Sequence, residues 1–242
     1  MKIKLVCTKC MSAKNTEEFF KNFKLYNVLI NDEGVYRIKC SEGHTIEAVL
    51  QNPKFELLFD YGMMALIDGY TREAVASWTA SLERFIEFTI KVIVANNEID
   101  DEKFKNTWKH LKNSSQMQLG SYYLMYLLNF KEPPKTLDDN KKGFRNKVIH
   151  KGKIPDLEET KDYGEYIYNY IKTILNDLKE FHNEDIMHII SNELREKHEL
   201  TKTHNISTSV IPTALSCVSS SGDKEFIEVL NDFNKKDFVY EF

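Results

Sequence analysis

Two short clusters, Cys7-Thr8-Lys9-Cys10 and Cys40-Ser41-Glu42-Gly43-His44, constrain this chain more than any other feature. Two thiolates separated by two residues sit on one tight turn. A second turn supplies Cys40 and His44, and together the four make a tetrahedral ligand set suited to Zn2+. The chain between them must therefore fold back so that both turns meet. Gly43 suits the second turn, because a backbone closing around a metal often needs positive φ. Residues 24–30, 35–39 and 45–50 read as strands, with the turn signal Asn31-Asp32-Glu33-Gly34 between the first two.

This is the layout of a small β zinc ribbon over residues 1–52. A segment of that length with few large apolar groups is marginal alone, so a structural metal supplies what the core does not. The competing reading, a redox Cys-x-x-Cys, lacks βαβ surroundings and leaves Cys40 and His44 unexplained. Four protein ligands leave no open position for water, so the expected role of the zinc is structural and not catalytic.

After Asn52-Pro53 the apolar period changes from 2 to 3.6, and nearly everything to about residue 200 reads as helix. Phe55, Leu58, Phe59, Met63, Leu66 and Ile67 share one face before Gly69-Tyr70. Val75, Trp78, Leu82, Phe85, Ile86, Thr89 and Ile93 form the stripe of the next helix. Asp100 or Asp101, and then Ser114 or Ser115, can cap two further helices, and Pro133-Pro134 stops the second. Asp156-Leu157-Glu158-Glu159 is a capping-box start for a long helix lined by Tyr163, Tyr166, Ile167, Tyr170, Ile174, Leu178 and Phe181. The expected fold is mainly α: an antiparallel helical bundle over 53–204, preceded by the ribbon. Residues 205–242 read as a looser tail, with Ser219-Ser220-Ser221-Gly222, a short helix around 224–234, and Cys217 as a reduced thiol.

A 42% hydrophobic content is ample for such a core. No apolar run reaches the roughly 18–20 residues that span a bilayer. The start is too short before Cys7 for a signal peptide, so the expected location is the cytoplasm, with no membrane partner. The net charge is -4 and the pI about 6.0, which excludes a general electrostatic attraction for nucleic acid. Any such binding must be local.

One local island exists. Lys141, Lys142, Arg145, Lys147, Lys151 and Lys153 stand together with no acidic residue among them. A solvated basic loop would look the same by charge alone. Within the island, Arg145-Asn146-Lys147-Val148-Ile149-His150 joins a guanidinium fork matched to phosphate with an imidazole able to move protons near neutrality. RNA carries its own nucleophile in the 2′-hydroxyl. A catalyst must take that proton, neutralise charge on the phosphoryl oxygens and protonate the leaving 5′ oxygen. Arg145 suits the oxygens and His150 the proton transfers. Asn146, one turn before His150, can orient the imidazole or touch the phosphate, and Lys142, Lys147 and Lys151 can hold the strand.

Arg145 and His150 lie about 140° apart around an ideal helix, so they should not sit side by side without a break or a second copy. A two-fold dimer would bring two motifs into one cleft. Glu83 is a possible additional polar contributor to this site, but a solvated glutamate beside Arg84 and Glu87 is the simpler description. The tyrosines read as core or interface packing more than base stacking. His182, His188, His198 and His204 do not share a helical face, which argues against a second metal site.

Phe144-Arg145-Asn146-Lys147-Val148-Ile149-His150-Lys151-Gly152, set after a helical bundle and before a capped helix, resembles the arginine, polar residue, histidine signature of the HEPN family (higher eukaryote and prokaryote nucleotide-binding domains). The run from Gly69 through Ser77 to Ser81-Leu82-Glu83-Arg84-Phe85 also looks like that family's first long helix pair, so the resemblance covers about residues 55–185. It implies a compact helical fold that usually dimerises, with Arg145, Asn146 and His150 as catalytic residues. It further implies, in many members, a metal-independent endoribonuclease of toxin, antiviral or RNA-processing settings, leaving 2′,3′-cyclic phosphate and 5′-hydroxyl ends. Partners would be RNA, a second copy and a possible antitoxin or other protein. Some members bind without cutting, so a non-catalytic nucleotide, RNA or protein interaction module is the alternative.

Overall fold

The structure is a computed structural model and describes residues 1–11, 23–97, 99–202, 206–219 and 224–235. His204 and the serine and glycine positions 220–222 lie outside the described residues. Contacts divide the chain into two units: Met1–Asn52 with Ile190–Pro212, and Pro53–Ile189 with Thr213–Phe242.

In the first unit, β1 (Lys2–Val6) pairs antiparallel with β2 (Leu25–Leu29), Lys2 opposite Leu29 and Val6 opposite Leu25. A one-turn helix, α1 (Thr8–Met11), comes directly after β1. β3 (Val35–Lys39) and β4 (Thr45–Leu50) form an antiparallel hairpin with Ile38 opposite Ile46. The turn at 31–34 therefore links two sheets and closes no hairpin. There Asn31 Oδ1 accepts the Gly34 N–H at 2.8 Å, with Gly34 at φ +65°. β1 alternates as a half-buried strand should, Ile3 and Leu5 inward. β4 is buried nearly throughout, Ala48, Val49 and Leu50 completely, because it is flanked on both sides.

Its second neighbour is β5 (Ile206–Ser209), added in parallel with Glu47 opposite Ile206. The segment that reads as a loose tail thus begins as the third strand of the N-terminal sheet. Asn52 fastens the chain just beyond β5: its Nδ2 donates to Ile211 O at 2.9 Å and its Oδ1 accepts the Ile211 N–H at 2.8 Å.

The second unit is built on α2 (Lys54–Ile67) and α3 (Thr71–Asn96), packed along their lengths and joined through Gly69 at φ +81°. The chain continues as α4 (Asp101–Leu111), α5 (Ser115–Phe130), α6 (Asp139–Lys151), α7 (Leu157–Phe181) and α8 (Asn183–Glu199), the unit boundary falling within α8. Caps sit where the sequence offers them. Asp100 accepts the Lys103 N–H, Ser114 that of Met117, Asp138 that of Lys141, and Asp156 with Glu159 completes a capping box. The chain is mainly helical with a small sheet region near its N-terminus. Among the described residues no helix is long and apolar enough to cross a membrane.

α3 is the central helix, contacting α2, α5, α6 and α7. The C-terminal residues also belong to this core. α9 (Phe226–Lys235) packs on α7 and α2, its Phe226 ring edge-on to Trp78 at 6.0 Å. The segment before it is pinned by two buried carboxylates of α2. Glu56 accepts from Thr213 Oγ1 at 2.8 Å and the Cys217 N–H at 2.7 Å, and Asp60 accepts the Ala214 N–H at 3.0 Å. Cys217 is buried there as a thiol. Where the sequence suggests three successive segments, both units are discontinuous: β5 pairs with β4, and residues 213–217 bond the carboxylates of α2.

Trp78, fully buried, fixes how closely α2 and α7 approach it. Its Nε1 donates to Phe59 O at 3.1 Å, and glycines face the ring on two sides. A Cβ on Gly62 would meet Nε1 at 2.4 Å, and one on Gly164 would meet Cη2 at 2.5 Å. Gly62→Ala is expected to destabilise the protein by about 1–3 kcal/mol through overpacking, despite the roughly 1 kcal/mol that alanine gains in helix propensity. Denaturant unfolding measures it, and an unchanged midpoint would mean the indole can shift.

Candidate functional site

The N-terminal unit brings all four expected ligands together. Cys7 comes just after β1 and Cys10 lies in α1, where the Met11 N–H bonded to Cys7 O at 3.0 Å closes the first knuckle. Cys40 and His44 flank the β3–β4 turn, closed by the Cys40 N–H to His44 O at 2.9 Å and the Gly43 N–H to Cys40 O at 2.9 Å, with Gly43 at φ +79°. The ligand atoms lie within 4.8 Å of one another. With metal–sulfur bonds of about 2.3 Å, a regular tetrahedron separates its sulfurs by about 3.8 Å. Cys10 Sγ and Cys40 Sγ are 3.7 Å apart, and His44 Nδ1 is 3.2 Å from Cys10 Sγ and 3.8 Å from Cys7 Sγ.

The set can therefore hold a metal ion, and its dimensions fit zinc. Its electrostatics call for a cation as well. Burial and the neighbouring Cys7 and Cys40 sulfurs push the Cys10 thiol up to about 12. Burial also works to raise Cys40, but backbone N–H groups of Glu42 and His44 outweigh it and bring that thiol down to about 7. Three sulfurs packed together carry negative charge cheaply only around a positive ion. Apart from this set, the described residues contain no group of three or more His, Cys, Asp or Glu side chains arranged for a metal, the histidines of 182–198 included.

In the helical unit the motif lies on α6. Val148, the buried residue of that helix, anchors it, and the Phe144 ring meets Tyr163 at 5.4 Å. Gly152 at φ +71° ends the helix. Arg145 and His150 are side by side in a single copy: Arg145 Nη1 is 3.3 Å from His150 Nε2 and 3.1 Å from Asn146 Oδ1. Helical angles place Cβ atoms, whereas the long arginine side chain carries its guanidinium around the helix, so the two groups meet although their backbone positions diverge. No second copy is required for these groups to meet.

Of the two descriptions open to Glu83, the structure has the polar contributor and not the solvated side chain: it is the partner of Arg145. Its Oε1 accepts from Arg145 Nη2 at 2.9 Å, while Arg84 turns to Glu87. One arm of the guanidinium is thus held by α3 and the other faces the imidazole. His150 is exposed and Arg145 partly so.

The lysines divide. Lys141 bonds Asp162 at 2.5 Å, Lys142 bonds Asp139 at 2.6 Å, and Lys153 pairs with Glu159. The hydrogen bond between Lys142 and Asp139 holds the ammonium above its ordinary range and the carboxyl below its own. Lys147 and Lys151 are exposed and have no acidic partner among the described residues.

A cleft of about 170 Å3 opens beside Arg145 and Asn146 between α3, α5, α6 and α7. The tyrosines sort by their place around it. Tyr168 and Tyr170 are fully buried packing, and Tyr163, pushed up to about 12 by burial, bonds Thr79 Oγ1 at 3.0 Å in the cleft wall. Tyr166 also lines the cleft, half-buried, its hydroxyl accepting the Asp138 N–H at 2.7 Å. Sequence periodicity finds these rings but not the cavity, which needs four helices at once.

Compared with known proteins, the chain matches no family model, no curated protein and no solved structure.

Proposed function

We propose that the helical unit is a metal-independent endoribonuclease of the HEPN type and that the N-terminal unit is a zinc ribbon whose ion is structural. The observation that carries the first half is the convergence of Arg145, Asn146 and His150 at an exposed helix end, with the guanidinium oriented from behind by Glu83. In the proposed reaction the 2′-oxygen attacks the adjacent phosphorus, an O2′–P bond forms and the P–O5′ bond breaks. One imidazole accepts the 2′ proton and a protonated imidazole donates to O5′. Arg145 faces the phosphoryl oxygens as their charge grows, and Lys147 and Lys151 hold neighbouring phosphates.

Each chain offers one such histidine, so a homodimer that pairs two motifs would supply both proton carriers, and a toxin or antiviral setting with a protein partner suits such an activity. The ribbon reading rests on the sulfur and nitrogen spacings, with Zn2+ as the ion. Incubated with mixed RNA and EDTA, the protein is expected to cut, leaving 2′,3′-cyclic phosphate and 5′-hydroxyl termini identified by end-group analysis. Cleavage that needs added Mg2+ would refute the mechanism.

A binding-only module is the second reading, and it is favoured by the internal pairing of Lys141, Lys142 and Arg145 with carboxylates. The same incubation would then give a mobility shift and intact RNA.

A further inference from the structure

From Lys103 to Lys131 the chain carries no acidic residue, on a protein whose net charge is -4. α4 opens this stretch. Its apolar side chains Phe104, Trp108 and Leu111 recur at i, i+4 and i+7 and form one file along the helix. Lys105, Lys109 and Lys112, each one residue further on, form a second file beside it, Lys112 keeping helical backbone angles at the C-cap. A core helix would bury the first file. α4 buries none of its residues: the three apolar side chains are half-buried and the lysines exposed. Lys109 Nζ donates to Asn106 Oδ1 at 2.9 Å, and none of the three lysines has an acidic partner among the described residues.

A single strand of RNA presents the complementary pair of features, phosphates along one edge and unpaired bases along the other. Phe104 and Trp108 are stacked, their centroids 5.7 Å and their planes 29° apart, so a base laid on the outer face of the pair extends a stack already begun. The lysine file alongside meets the phosphates. In a duplex the base faces are closed in, and the stacking half of the contact is lost. A lipid surface also takes an apolar face edged by lysines, but three apolar side chains on an 11-residue helix make a small anchor. The C-terminal end of α4 lies at the motif cleft. Gln118 Nε2 donates to Leu111 O at 3.5 Å and Lys112 O at 3.0 Å, and Gln118 belongs with Ser115 and Leu119 to the wall of the cleft that Arg145 and Asn146 also line.

We propose that α4 is a binding site for unpaired RNA, with bases stacked on Trp108 and Phe104 and phosphates held by Lys105, Lys109 and Lys112. The inference rests on the ribonuclease reading for its ligand and adds to it the substrate class. That class is single-stranded RNA long enough to run from the cleft along a helix of about 16 Å.

The test measures fluorescence anisotropy of labelled single-stranded and duplex RNA with the full chain carrying His150→Ala, so that binding is read apart from cutting. Adding Trp108→Ala should weaken single-strand binding at least about tenfold, within what one stacked base contributes, and leave duplex binding unchanged. Trp108→Phe should keep most of the affinity, since its ring still offers a face. Lys105→Ala, Lys109→Ala and Lys112→Ala together should make the slope of log affinity against log salt shallower by about 2. Those positions are exposed, which keeps the test valid if Trp108→Ala folds poorly. Trp78, the other tryptophan, is fully buried, so quenching of tryptophan emission by RNA reports Trp108. Undiminished single-strand binding by the lysine variant, or a Trp108→Ala loss shared equally by duplex, overturns the site. Tighter association with phosphatidylserine vesicles than with RNA overturns it too and assigns α4 to a lipid surface. With His150 restored, cutting of dilute RNA untouched by either variant would remove this inference and leave the ribonuclease standing. Single strands held through Trp108 by a protein that never cuts would do the reverse.

Discussion

His150→Ala is expected to lower RNA cleavage by at least about 10², and up to about 10⁴, the range that one positioned proton carrier contributes. The melting temperature should barely move, since His150 is exposed and Val148, not His150, anchors α6. Arg145→Ala should cost at least about 10² as well, by removing the donors that face the developing phosphoryl charge. Arg145→Lys should recover little, because an ammonium cannot bond Glu83 with one arm while presenting a second planar arm to the imidazole. Free imidazole should restore part of the His150→Ala rate, which a merely structural histidine would not allow. Single-turnover rates on a short RNA measure all three. Undiminished cutting by rigorously purified His150→Ala protein would end the ribonuclease reading.

Cys40→Ser is expected to unfold the N-terminal unit. Structural zinc contributes on the order of 10 kcal/mol of apparent binding energy to small zinc-dependent folds, and here binding and folding draw on the same contacts. Only a few large apolar side chains are buried in β1 to β4, Ile3, Leu5, Tyr36, Ile46 and Leu50 among them, so little else closes the sheets. Elemental analysis should find one zinc per chain in the native protein and none in the variant. Amide exchange should show protection across Val35–Lys39 and Thr45–Leu50 lost with it. A variant that keeps those strands protected would show that the metal site is dispensable for folding.

Much of this is readable from residues alone, and the limits have physical causes. Cysteine and histidine spacing announces itself, because few other arrangements need those residue types on two short turns. The helices follow from apolar period, and Asp100, Ser114 and Asp156 cap as short polar side chains at helix starts do. β5 escapes because Ile206-Ser207-Thr208-Ser209 is short and mostly polar, and its pairing with β4 is remote in sequence. Glu56 and Asp60 look like a solvent face of α2, since a carboxylate reads as exposed until its distant partners at 213–217 are known. Within the motif, residue types are legible while reach is not. Helical angles locate backbones, and the meeting of Arg145 with His150 and Glu83 depends on side-chain length and on a second helix.

The interleaving of the two units has a consequence for biosynthesis. The four metal ligands all precede α2 in the chain, yet the strand that flanks β4 emerges only after the whole of α2 to α8, so the sheet beside the knuckles stays one strand short while helices form. α2 waits in turn for residues 213–217, whose groups donate to its Glu56 and Asp60 carboxylates. Each unit is completed only by residues that follow α8 in the chain.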